Sequence, residues 1–341
     1  MKEKIWSLLV HLSRNQWYGP GNNYGTLPFE EGFDETFWDY LLEECPKAGV
    51  NNIVLDVGDA IQYASHPEIV QKGAWSRKRV RDEVKRCRDL GIELIPKLNF
   101  ATVHSFWQGE YRKMTSTAPY YQMAADLIRE VNELFDNPSF IHLGMDEENA
   151  HFAVIHAKKH GNVIYRDGEQ YWHDLRFLVD CVHDCGSMPW VWHSPLFEKY
   201  EEFKQHFDVD EMVFSPYFYH AVRKEHWTPI TERQIWIDWY KKPEYAGMNI
   251  QYIEEDPICA DFFNYSIPCA KEGYKMIPAG SDCHQLDCNM YELVEYFKNE
   301  APDESVLGFQ EAPWSKATWD NKERYDRSLK FLKEAKEAFY K

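Results

Sequence analysis

The sequence predicts an α/β chain folded as a (β/α)8 barrel (a TIM barrel), with residues 1–341 forming a single domain. Three observations predict it. Eight short apolar runs alternate with eight amphipathic stretches, with no internal repeat and no low-complexity linker. The stretch after the first run, LSRNQWYGPGNNYG, lacks the G-x-G-x-x-G spacing that an open doubly wound sheet would usually place there. Residues able to do chemistry recur just after the apolar runs, where a barrel builds its site.

Taken in order, the runs are SLLVHL (7–12), NIVLDV (52–57), IELIPKL (92–98), FIHLGM (140–145), MPWVWH (188–193), EMVFSPYF (211–218), YKMIPAG (274–280) and SVLGFQ (305–310). Each is short and rich in branched or aromatic residues, as strands covered on both faces must be. Helical patterns fill the intervals at 34–48, 76–90, 118–136, 169–185, 196–206, 257–272, 288–299 and 320–339. Gly91 and Gly273 stand where a left-handed residue ends a helix before the next strand. The connection after the sixth run is long, about 220–256, and carries Trp227, Trp236, Trp239 and Tyr252. In a barrel it lies over the top face, where long loops serve as lids. Trp6, Trp38 and Trp172 read as core.

Composition narrows the function. With 44% hydrophobic and 28% charged residues the chain has enough apolar material for a large core. A net charge of -18 leaves no basic face for nucleic acid or an anionic membrane. Thirteen Trp and 21 Tyr suit either a core or a cleft whose flat rings stack on sugars. The first residues lack the apolar core and cleavage site of a secretory signal, so the expected compartment is cytoplasmic and the eight cysteines are expected to be reduced. Cys283, His284 and Cys288 do not match a tetrahedral zinc spacing, and no metal is expected. Oligomeric state is not legible.

The strand ends present Arg14, Asp59 and His104 in turn, then Asp146 and Glu147 after the fourth strand. The fifth brings Trp190, Trp192 and His193, the sixth Tyr217, Tyr219 and His220, the seventh Asp282, and the eighth Glu311 and Trp314. Carboxylates, an arginine, histidines and rings together are what a sugar-cleaving site requires. His142, inside an apolar strand, reads as a hydrogen-bonded core residue. Asp146, Glu147 and Glu148 read either as a solvated helix start or as chemistry, and their place directly after a buried strand favours chemistry. Two adjacent acids cannot easily flank a glycosidic bond as nucleophile and acid. They can divide labour if one protonates the leaving oxygen while the other supports a nucleophile belonging to the substrate, such as a 2-acetamido group.

The segment Phe140-Ile141-His142-Leu143-Gly144-Met145-Asp146-Glu147 resembles the H-x-G-x-D-E signature of family 20 glycoside hydrolases, the β-N-acetylhexosaminidases. Likeness extends to Leu55–Asp59, to Gly91–Pro96 with His104 downstream, to His11-Leu-Ser-Arg14 and to Val306–Trp314. The resemblance implies that Glu147 is the general acid and then base, and that Asp146 orients the acetamido group as an oxazolinium forms. It implies a supporting Asp59–His104 pair behind Glu147 and Arg14 on the sugar's O3 and O4. Trp190 or Trp192, with Trp314, would wall the acetamido pocket. Tyr217 or Tyr219 would replace a tyrosine that the family supplies after strand seven, where this chain has Asp282. The family follows its last tryptophan with a hydroxyl residue and a glutamate for O4 and O6; this chain has Ser315 and Lys316. The expected activity is exo-cleavage of terminal 2-acetamido sugars from an oligosaccharide or glycoconjugate, without a cofactor. Two alternatives stand beside it: a glycosidase for another sugar with Glu311 opposite Glu147, and a sugar-binding barrel without catalysis.

Overall fold

A computed structural model describes residues 3–13, 29–148, 164–192, 194–219, 221–223, 226, 260–282 and 286–340. Nine parallel strands form one sheet: β1 (Ile5–His11), β2 (Asn52–Asp56), β3 (Glu93–Lys97), β4 (Phe140–Gly144), β5 (Met188–Trp192), β6 (Val213–Ser215), β7 (Lys275–Met276), β8 (Ala279–Gly280) and β9 (Gly308–Glu311). Their order is β7-β6-β5-β4-β3-β2-β1-β9-β8. The run 274–280, expected as one strand, is two pieces because Pro278 has no N–H to donate to a ladder. It still joins both neighbours: Ile277 N donates to Phe214 O at 3.0 Å and Gln310 N donates to Pro278 O at 2.9 Å. β7 and β8 are therefore one interrupted seventh strand, and the ring closes as an eight-position barrel.

Helices cover the outside. They include α1 (Phe29–Gly32), α2 (Glu35–Ala48), α3 (Arg77–Asp89), α4 (Ala118–Leu134), α5 (Glu169–Asp184), α6 (Ser194–His206), α7 (Ala260–Glu272), α8 (Asn289–Glu300) and α9 (Lys322–Phe339). Asp34 starts α2 by accepting from Thr36 N and Phe37 N at 2.8 and 3.0 Å, satisfying two amide donors that a helix start leaves open. Gly91 and Gly273 have φ of 75° and 103°, as their helix-ending role requires. A segment of 3-10 helix, Thr102–Lys113, follows β3. Trp6, Trp38 and Trp172 are buried in the core.

Strand alternation sorts the side chains into two cores. Ile53, Leu55, Leu94, Ile141, Leu143, Val191, Phe214 and Phe309 face the helices. Leu9, Val54, Ile95, Trp190, Trp192, Val213, Ile277, Ala279 and Ala312 fill the barrel. Continuing each inward row by two residues puts polar groups at the next layer. Lys97 Nζ lies 2.5 Å from Asp56 Oδ2, with both side chains buried, and His11 Nδ1 lies 3.4 Å from the same oxygen. This buried cation and anion form the floor beneath the strand-four acids.

Candidate active site

The end of β4 departs from regular strand. Its pairing to β5 shifts register between His142 and Gly144, and Gly144, Met145 and Glu147 have φ of 72°, 68° and 58°. A non-glycine residue in that region costs about 1–3 kcal/mol and persists only where its surroundings hold it. Asn99, two residues beyond β3, does the holding. Its Oδ1 accepts from Met145 N at 3.3 Å and Ala101 N at 3.1 Å, while its Nδ2 donates to Asp146 Oδ1 at 2.7 Å. Only glycine fits at 144, since a Cβ there would stand 2.1 Å from Asn99 Oδ1 and 2.7 Å from Asn99 Cα.

His104, brought in by the 3-10 segment, binds both acids. Its Nε2 is 3.3 Å from Asp146 Oδ2 and 3.1 Å from Glu147 Oε2, and its ring is buried. Burial alone would lower the imidazole's pKa, but the charge and hydrogen bond of Asp146 and the contact with Glu147 push it up to about 10. Burial would raise Asp146, yet the facing imidazolium, with Lys97 and Asn99, holds it well below the usual carboxylate range. Burial pushes Glu147 up, and the Asp146 charge adds to this while His104 opposes it. One acid is thus kept ionised and its neighbour is kept closer to its protonated form, the separation that acid–base work requires.

The Glu148 side chain is also buried, so the acidic triplet is not a solvated helix start. Arg166 takes Glu148 through Nη2 to Oε2 at 2.6 Å, reaches Asp174 on α5 at 3.0 Å and donates to Phe100 O at 2.9 Å. Thr102 N donates to Glu148 Oε2 at 3.1 Å, so the same carboxylate ties the start of the His104 segment.

Aromatic rings gather at the ends of β5, β6 and β9. Trp192 lies with its ring centroid 5.0 Å from His142 and 5.7 Å from Trp314, and meets the edge of Tyr217 at 5.8 Å. Tyr217 stacks on Tyr219 at 5.3 Å, and Tyr219 meets Trp314 at 6.2 Å. Tyr217, Tyr219 and Trp314 are half-buried, as rings at an opening are. Trp190 sits one layer deeper, bonded to Ser215 Oγ at 2.8 Å and stacked on His142 at 5.2 Å. Of the two tryptophans, Trp192 is the one beside the mouth. His142 is fully buried and its Nδ1 accepts from Gly144 N at 3.0 Å, in keeping with its expected core role.

Asp59 is fully buried and accepts from Gln71 Nε2 at 3.2 Å. Asp282 turns to the last helix, with its carboxylate 2.7 Å from Arg327 and 3.5 Å from Arg324, a correction to its assignment as a sugar ligand. Glu311 is corrected for the same reason: it shares the outward face of β9 with Phe309, and its Oε1 accepts from Ser328 Oγ of α9 at 3.3 Å. Burial, with Asp282 nearby, pushes its carboxyl well above the usual range. Arg14, His193, His220, Trp227, Trp236, Trp239, Tyr252, Cys283 and His284 lie outside the described residues. Asn99 and Arg166 were missed from sequence. A polar residue two after Lys97, on the inward row of a buried strand, was the available signal for Asn99; nothing local marked Arg166.

No sequence-family model and no curated protein matches the chain. Solved structures do. The exo-β-N-acetylglucosaminidase from Vibrio harveyi, solved with N-acetylglucosamine, matches with a TM-score of 0.58 at 12% identity over 98% of this chain and 54% of that one. The β-N-acetylhexosaminidase from Streptomyces coelicolor A3(2) gives 0.59 at 12% over 98% and 64%. The chain shares its barrel fold with these structures. The β-N-acetylhexosaminidase from Bacteroides fragilis gives 0.59 at 12%, over 97% of this chain and 65% of that one. This chain spans between half and two-thirds of the length of these family 20 structures.

Proposed function

We propose that the chain is a glycoside hydrolase, an exo-acting β-N-acetylhexosaminidase that retains configuration by using the substrate's own acetamido group as nucleophile. One observation carries this reading: Asp146 and Glu147 are clamped side by side through a single imidazole, at 3.3 and 3.1 Å. Their nearest oxygens lie within 4.8 Å, close to the ~5 Å of an ordinary retaining pair. However, a nucleophile and a proton donor must stand on opposite sides of the anomeric carbon, and two neighbours sharing one histidine stand on the same side. The outward turn of Glu311 disfavours it as the second carboxylate of a two-acid alternative. Likeness to a barrel solved in complex with N-acetylglucosamine supports the same substrate class.

In this mechanism Glu147 donates its proton to the glycosidic oxygen as the bond to the anomeric carbon breaks. The acetamido oxygen attacks that carbon from the other face, forming an oxazolinium. Asp146, ionised and fixed by Asn99 and His104, accepts the acetamido N–H and offsets the positive charge. Glu147, now a carboxylate, takes a proton from water as its oxygen opens the ring, restoring the original configuration and the acid. The rings of Trp192, Tyr217, Tyr219 and Trp314 carry the sugar's apolar faces and keep bulk water away. Arg14 would hold O3 and O4.

Glu147→Gln tests the acid. Turnover of 2-acetamido-β-glycosides with poor leaving groups is expected to fall at least ~10²-fold, with a smaller loss on activated aryl leaving groups. Wild-type rates on the poor leaving group would overturn the role.

A further inference from the structure

We propose that His226, Cys288 and Glu292 form a second site, apart from the acid pair, that binds one divalent metal ion of the zinc class. One ligand atom from each residue lies within 4.8 Å of the other two. They come from separate places: Cys288 and Glu292 sit four apart at the start of α8, and His226 lies 66 residues before Glu292, beyond β6. Glu292 N donates to Cys288 O at 2.9 Å, which closes the first helical turn and puts both side chains on one helix face. Thiolate, imidazole and carboxylate together are a donor set that suits zinc or cobalt better than magnesium or calcium.

Two further features favour a cation here. Glu292 is buried, and the neighbouring guanidinium is directed elsewhere: Arg223 pairs with Glu295 through its side chain and gives Glu292 only its backbone N–H, at 2.8 Å. A buried carboxylate needs a compensating charge, and the His226 imidazole in contact with it is the remaining described partner besides Cys288. The site is also built in advance. Arg223 is held to α8 through Glu295, and His226 N donates to Arg223 O at 3.0 Å, which ties His226 itself to that helix. His226 itself is exposed, which leaves an entry path and room for water as a fourth ligand.

Uptake forms a metal–sulfur bond and releases the thiol proton to solvent. The bound ion would pin the chain beyond β6 against α8, at the edge of the barrel mouth.

The test uses the full chain, stripped with chelator, kept reduced and titrated with Co2+ and then Zn2+. Wild type is expected to bind one Co2+ with a thiolate-to-cobalt charge-transfer band in the near ultraviolet, to release about one proton per ion, and to lose the band on Zn2+ addition. Cys288→Ser should lose the band. His226→Ala, an exposed position whose change leaves the fold intact, should weaken binding at least ~10-fold, the lower bound set by what loss of an outer-shell partner costs. Absence of stoichiometric uptake by wild type overturns the proposal, as does a band or affinity unchanged in either variant. Hydrolysis of aryl glycosides by the same samples reports separately on the acid pair.

Discussion

Asn99→Ala isolates the clamp that sets the strand-four acids. The substitution removes a hydrogen bond of 2.7 Å to an ionised, buried carboxylate, and leaves Met145 N without the oxygen it reaches at 3.3 Å. A hydrogen bond to a charged group contributes about 1.5–3 kcal/mol, and the positive φ at Met145 and Glu147 gives the loop a conformation to relax into once released. If that loss is felt wholly in the transition state, kcat falls about 10- to 100-fold. If it is felt in the fold, the denaturation free energy drops by the same about 1.5–3 kcal/mol. The pH dependence separates the two carboxyls. Asp146 titrates below its unfolded value of ~3.9, so the bond's contribution is present above that pH and fades as pH falls through the folded pKa. The assay is kcat and KM on an aryl 2-acetamido-β-glucoside from pH 3 to 8, beside urea denaturation at the same pH values. The expected result is a lowered kcat with the acid limb shifted upward. A variant with wild-type kcat, acid limb and stability would refute the clamp.

Two further outcomes follow from the same geometry. Wild-type stability minus that of His104→Gln should shrink as pH rises: the folded imidazole titrates near 10 against ~6.5 unfolded, so its contribution is complete below ~6.5 and lost by about 10, read by denaturant titration. A difference independent of pH would show that His104 is not held protonated. Glu311→Gln should leave kcat within ~2-fold, because the group is outward and its burial favours the neutral form; a loss beyond ~10²-fold would return it to the chemistry.

Much of the barrel was legible because buried parallel strands and amphipathic helices leave opposite periodicities in a sequence. The break at Pro278 went unread, although its missing N–H was the available signal, because it lies inside an apolar run. Asp146, Glu147 and His104 were found because strand order predicts where chemistry gathers, and the structure puts His104 Nε2 3.3 Å from Asp146 and 3.1 Å from Glu147. Asp282 and Glu311 were misplaced because the exit from a strand end depends on a one-residue phase: Glu311 shares the face of Phe309, not that of Gln310. Arg166 was beyond reach, since its partners Glu148, Asp174 and Phe100 come from three separate segments. The His226–Cys288–Glu292 cluster was hidden for the same reason, its members lying up to 66 residues apart.

The central claim is that the substrate supplies the nucleophile, and the most direct measurement compares an aryl 2-acetamido-β-glucoside with its 2-hydroxy counterpart under identical conditions. The account predicts turnover of the first, with retention, and none of the second above background. Comparable or preferential turnover of the 2-hydroxy substrate would contradict it, because only a carboxylate of the protein could then serve as nucleophile or base. Turnover of neither would leave a barrel that binds sugar without cleaving it.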